Sequence, residues 1–236
     1  MPPIVEPLLR IPEVFERFRR SAETLGVVRC IWFIPPPAHA VGNEQTLLLH
    51  WGFSPAWAEF YVSGSHEVAQ QIDAIIRRGR PILWRDAIAV AVADPKTAMY
   101  RSLFEEFRRL HPEQGLAFPV FGPFSTASLV SCAFDPPIAD LDDARFAALT
   151  PVADSALRTI ALIKHQEYRD MMRLSPREQA VLRGLGAGLS KKEIARTMDI
   201  APASVDTYAR RIFFKLEVDD RVEAVVKAVS LGLVKL

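Results

Sequence analysis

The sequence predicts an α+β unit, an antiparallel sheet with helices on its faces, followed by an all-α unit of four short helices. Two observations carry the prediction. Before about residue 170, periodic segments run in the order helix, strands, helices, strands, helix. Beyond it come four short capped runs, each too short to be stable alone in water, so they must share one core. Charge divides at the same place. Met171–Leu236 holds twelve Lys/Arg against eight Asp/Glu, net +4, while the preceding residues hold seventeen against twenty, net −3. A basic tail behind a mildly acidic body suits a nucleic-acid partner, because clustered cations release phosphate counterions.

The first helix is expected over about Pro12 to Leu25, with Val14, Phe15, Phe18, Ala22 and Leu25 on one stripe. "VVRCIWFI" reads as a buried strand stopped by Pro35-Pro36-Pro37, and "QTLLLHWGF" as a second strand. "SPAWAEFYVSG" opens with a Ser-Pro helix start, and "SHEVAQQIDAIIRRGRP" continues as a helix with Val68, Ile72, Ile75 and Ile76 on one side. "ILWRDAIAV" reads as a loop or short strand. "DPKTAMYRSLFEEFRRLHPEQG" has an Asp cap, a first-turn Pro and a Leu103/Phe104/Phe107 stripe, so a helix is expected. "LAFPVFG" and "ASLVSCAFD" form two strands around Gly122-Pro123, and a long helix follows. The expected division is a sensing unit over 1–166, a linker over 167–173 and a tail unit over 174–236.

In the tail, Ser175, Pro176 and Glu178 form a capping box. Val181, Leu182 and Leu185 face inward before Gly186 and Gly188 end the helix. Ser190 caps a second helix that turns Ile194, Ala195 and Met198 inward. Ser204, Val205, Tyr208, Ile212 and Leu216 define a third helix with Arg210, Arg211 and Lys215 outward, and "RVEAVVKAVSLGLV" a fourth.

Composition excludes several classes. Half the residues are hydrophobic and 24% charged, a globular balance, with no apolar run of the roughly 18–20 residues a membrane span needs. The charged, proline-bearing N-terminus is unlike a signal peptide, so a cytoplasmic location is expected. No cofactor is expected: there is no CxxC pair and the five histidines lack metal-ligand spacing. Cys30 and Cys132 lie in apolar runs and read as buried thiols. A hydrolase using either would need a nearby His in an electropositive site, which no motif supplies.

The tail resembles the DNA-binding domain of LuxR-type transcription regulators along its whole length. Leu174, Ser175, Pro176, Arg177, Glu178, Val181, Leu182, Gly188, Ser190, Lys192, Glu193, Ile194 and Ala195 match the family pattern. So do Ile200, Val205, Thr207, Ile212, Lys215, Leu216, Val218, Arg221, Ala224, Leu231 and Gly232. The resemblance implies a helix-turn-helix whose recognition helix, about Ala203 to Lys215, lies in the major groove of double-stranded DNA. Ser204 and Thr207 are then candidate phosphate or base contacts, and Lys191, Lys192, Arg210, Arg211 and Lys215 candidate phosphate contacts. Glu178 is expected to cap its helix and pair with a neighbouring base. Asp206 departs from the family, which more often carries a basic or neutral residue there.

The front unit resembles the autoinducer-binding domain of the quorum-sensing members, an α/β/α sandwich around an antiparallel sheet. Trp57 and Tyr61 match a Trp-x-x-x-Tyr pair, Trp84 a second pocket tryptophan, and Ser131 a polar position that touches ligand. Gly115, Pro119, Gly122 and Pro123 match the glycine and turn before the last strands. The resemblance implies a homodimer on a two-fold symmetric operator, answering a small signal such as an acyl-homoserine lactone. Departures point to an altered ligand or none. Ala69-Gln70 stands where the family has Asp-Pro, with Asp73 one helical turn further on. Phe53 replaces a frequent Tyr, and Phe107, beside Phe104, fills a position that is often smaller. A "solo" regulator, with a non-lactone ligand or no ligand, is the alternative.

Overall fold

A computed structural model describes residues 10–36, 46–53, 73–93 and 115–234. The expected helices around Trp57/Tyr61 and Phe104/Phe107 lie outside the described residues. Two compact units emerge, the first within Met1–Pro35 and Thr46–Ala161, the second chiefly Leu162–Leu236.

In the first unit, α1 (Ile11–Thr24) starts with Pro12 in its first turn and buries Val14, Phe18 and Ala22. Strands β1 (Val27–Ile34), β2 (Leu47–Trp51), β3 (Ile82–Leu83), β4 (Gly115–Phe121) and β5 (Ala127–Phe134) form one sheet in the order β2-β1-β5-β4-β3. Every pairing is antiparallel. β1 and β5 are buried almost throughout because both faces of the central sheet are covered.

One face is aromatic. Trp51, Cys30, Cys132 and Leu116 lie in a row across it, with Trp32 and Val130 in the next. The Phe18 ring sits 4.7 Å from that of Trp32 and 5.8 Å from that of Trp51, which docks α1 here. Trp32 Nε1–H donates to Ser128 Oγ at 2.9 Å, so the buried indole keeps its hydrogen bond. Phe146, from α3 (Ala144–Met171), packs edge-on against Phe118 at 5.2 Å on the same face.

The opposite face carries Ile31, Phe33, Ala117, Leu129 and Ala133 beneath Trp84 and Ile88. Its cover includes α2 (Trp84–Ala93) and a helical segment over 73–78. Here the structure corrects the sequence. "ILWRDAIAV", expected as a loop or short strand, gives two strand residues and then a helix from Trp84. Ile82 and Leu83 pair with Ala117 and Leu116 near the start of β4. Asp86 in the first turn and the alanines beyond it then favour helix.

α3 is also long and apolar enough, by length and composition, to cross a membrane, although no unbroken apolar run marks it in the sequence. It is a core helix: Leu149, Ala153, Leu157, Ile160 and Ala161 are buried. Residues 167–171, expected in a linker, continue this helix, and Tyr168 and Met172 belong to the core of the second unit.

That second core gathers Val181, Leu182, Ile194, Ala195, Val205, Ile212, Leu216, Ala224, Ala228 and Leu231. They come from α4 (Pro176–Gly186), α5 (Lys191–Met198), α6 (Pro202–Leu216) and α7 (Arg221–Ser230). Ser175 and Ser190 cap α4 and α5 through complete capping boxes with Glu178 and Glu193. Arg221 ties α7 to α4, donating from Nε and Nη2 to the Leu185 carbonyl at 3.1 and 2.5 Å.

Candidate functional site

Two surfaces hold the chemistry. The first lies on the apolar sheet face of the front unit. Register places Ile31, Ser131 and Ala117 in one row, and Phe33, Leu129 and Pro119 in the next. Trp84 lies over the first row and donates Nε1–H to Ser131 Oγ at 2.9 Å, both groups being buried. Gly115 makes this possible: a Cβ there would fall 2.2 Å from the Trp84 ring. Close approach of an indole, not a positive φ, is what this position requires. Leu48, Phe53, Ile75, Ile76 and Ile82 pack around the cluster. The result is an apolar wall with one hydroxyl and one indole N–H at its centre, a suitable seat for an apolar molecule with a polar head.

Of the expected signal contacts, Trp84, Ser131 and Phe53 meet here, while Trp57, Tyr61, Phe104 and Phe107 lie outside the described residues. Asp73 does not join them. Its carboxylate pairs with Arg77 one turn on, and both side chains are largely solvated. The helical segment sends Ile75 and Ile76 inward, so Asp73 faces away from the cluster.

The thiols are on the other face, directly opposite each other across β1 and β5. Both are free and fully buried, and burial pushes both well above the usual thiol range. A nucleophile needs the reverse shift.

The second surface is the α5–turn–α6 unit. Val205, Ile212 and Leu216 turn α6 inward. Opposite them Ala203, Thr207, Arg210, Arg211 and Phe214 are exposed on one stripe. Phe214, 85% exposed in the last turn of α6, was not singled out by the sequence. Thr207 Oγ1 donates to the Ala203 carbonyl at 3.1 Å, and Ser204 is half-buried in the first turn. Lys192, at the start of α5, is exposed.

Two expected cations are committed elsewhere. Lys191 pairs with Asp206, linking the start of α5 to the recognition helix. Lys215, expected at phosphate, turns back: Nζ donates to Glu178 Oε2 at 2.7 Å and to the Arg173 carbonyl at 3.2 Å. Glu178 is 3% exposed, so a buried carboxylate requires that ammonium. Burial raises the Glu178 carboxyl, but Lys215 and Ser175 outweigh it and hold the group below its ordinary value. The recognition helix is further braced by Arg177, which donates to Tyr208 Oη at 3.2 Å.

These two surfaces coincide with two family models. Residues 11–160 match the autoinducer binding domain, and residues 172–228 match the luxR family of bacterial regulatory proteins. The chain belongs to the LuxR-type quorum-sensing transcription regulators. This family consists of DNA-binding regulators, not enzymes. The chain is 25% identical over 240 residues to the quorum sensing-dependent transcriptional regulator RpaR of Rhodopseudomonas palustris, covering 97% of this chain and 91% of that one. Its fold resembles Escherichia coli SdiA, with a TM-score of 0.64 at 17% identity over 97% of this chain and 93% of that one. SdiA in complex with octanoyl-rac-glycerol gives 0.60 at 18% identity, over 95% and 90%. Within this LuxR-type frame, the sheet cluster falls in the autoinducer-binding half and the Lys191–Asp206 pair in the DNA-binding half.

Proposed function

We propose that this LuxR-type regulator binds a small acyl signal against Trp84 and Ser131 and reads a two-fold symmetric operator as a homodimer. Residues 1–166 would form the sensor and 174–236 the reader. The observation that carries the signal half is the buried Trp84–Ser131 hydrogen bond in an otherwise apolar wall. A polar head would accept from the Ser131 hydroxyl, which the Trp84 indole orients, and an acyl chain would lie along Ile31, Phe33 and Leu129. An acyl-homoserine lactone suits the family. The absence of Asp-Pro at 69–70 and the outward Asp73 favour a head that needs no carboxylate partner for an amide. An acylglycerol, the ligand class in the SdiA complex, is of that kind.

The dimer is supported by α7, where Val222, Val226 and Val229 are 70, 61 and 44% exposed at i, i+4 and i+7. Such a stripe, left in water, is the signature of a partner surface, and a copy of itself satisfies it by two-fold symmetry. Two recognition helices about 34–36 Å apart would then reach successive major grooves. Ser204, Thr207, Lys192, Arg210 and Arg211 are the groove and phosphate contacts of this reading. A DNA reader works where the chromosome is, in the bacterial cytoplasm.

One observation favours a regulator that folds without ligand: Trp84 and Ser131 already satisfy each other. The test is operator binding by the full chain with N-octanoyl homoserine lactone, with 1-octanoyl-glycerol and with neither. A response to either compound that Ser131→Ala weakens about tenfold supports the sensor. Equal binding in all three identifies the ligand-free regulator, and no retained sequence in any arm removes the DNA-reading proposal.

A further inference from the structure

The recognition helix carries a single acid, Asp206, and a cation is placed against it. Asp206 is the fifth residue of α6, beside exposed Thr207, in the half that a helix-turn-helix turns toward base edges. Lys191, the first residue of α5, pairs with its Oδ1, and the two side chains remain 51 and 40% exposed. Among the described residues nothing occupies Oδ2.

A bare carboxylate in a groove lined by phosphates repels every sequence alike. A neutralised one does not, yet its free oxygen still accepts. In the major groove cytosine presents only an amino donor, whereas guanine presents N7 and O6 acceptors and adenine sets an N7 acceptor beside its amino group. A carboxylate is matched by the first and opposed by the others. We propose that Asp206, oriented and charge-balanced by Lys191, determines specificity by accepting from a cytosine amino group in each half-site. This rests on the DNA-reading function above. It also makes Lys191 a positioning residue in place of a simple phosphate contact.

The experiment is selection from a random duplex library by the full chain, with and without N-octanoyl homoserine lactone, followed by affinities for single-base changes. Wild type should demand cytosine at one half-site position, with other bases there weaker by about tenfold. Asp206→Asn, whose amide both donates and accepts, should change that preference to adenine and leave other positions alone. Asp206→Ala should lose preference there, its affinity for the cytosine site falling about tenfold toward that for the other bases. Lys191→Met should weaken binding to all sequences, because the acid is left uncompensated. A pair that merely ties α5 to α6 would alter melting temperature and no base preference, so unchanged preferences in Asp206→Asn and Asp206→Ala overturn the proposal. Absence of any position demanding cytosine overturns it without a variant. Failure of wild type to enrich any sequence overturns the DNA-reading function itself.

Discussion

Glu178 concentrates several demands in one side chain. It is buried, caps α4 through the Ser175 amide, and holds Lys215 of α6 at 2.7 Å. Removing its charge leaves the Lys215 ammonium without its counter-ion and weakens the bond from the Ser175 amide, at a cost of about 1–3 kcal/mol. Its depressed carboxyl makes the contribution pH-dependent. The stability is present above the unfolded value near 4.5 and is lost as pH falls through the lower folded value. Melting of Glu178→Gln followed from pH 7 to pH 3 should therefore start lower and decline less than wild type. Glu217 offers the opposite case, a non-glycine residue at φ 49 and ψ 58 just after α6. Glu217→Gly removes that left-handed strain, and chemical denaturation should show a gain of about 0.5–1 kcal/mol. Gly115→Ala would drive a methyl into the Trp84 ring. The expected outcome is an overpacking loss of about 1–3 kcal/mol, with signal binding lost from a chain that still binds DNA.

Among the elements, α6 and α7 expose what ordinary core helices hide. Arg210 and Arg211 lie on the outward stripe of α6 and are solvent-exposed. If each meets one phosphate, Arg211→Ala should weaken binding uniformly across sequences and reduce the slope of log affinity against log salt by about one. A titration at several salt concentrations reads both. If the proposed dimer forms through α7, Val226→Glu would set two like charges against each other across its two-fold axis. Sedimentation should show a monomer with its melting little changed, because Val226 touches solvent, whereas Ala224 and Ala228 hold the core.

Across the whole molecule, the chain divides within α3, residues to Ala161 falling in the first unit and those from Leu162 in the second. A signal that binds only the folded front unit should raise its transition in calorimetry, by about 2.7 kcal/mol at a hundredfold excess over Kd. The sequence by itself determined the local chemistry. Caps at Ser175 and Ser190, the Pro-started α6, the stripe through Val205, Ile212 and Leu216, and strands ended by proline all depend on neighbours a few residues away. The helix-turn-helix was therefore legible almost to the residue, and its match to the family rested on the same local spacing. Tertiary structure decided what depends on residues distant in the chain. Trp84 begins a helix in which its indole reaches Ser131, 47 positions away, over a glycine. Lys215 turns to Glu178, 37 positions back, because a buried carboxylate must have a cation. Asp206 has its charge balanced by Lys191 of α5, a partner that the pattern of α6 alone does not reveal. Periodicity reports which face of an element is buried. It carries no record of which partner, folded in from elsewhere, satisfies a charge or fills the space above a glycine.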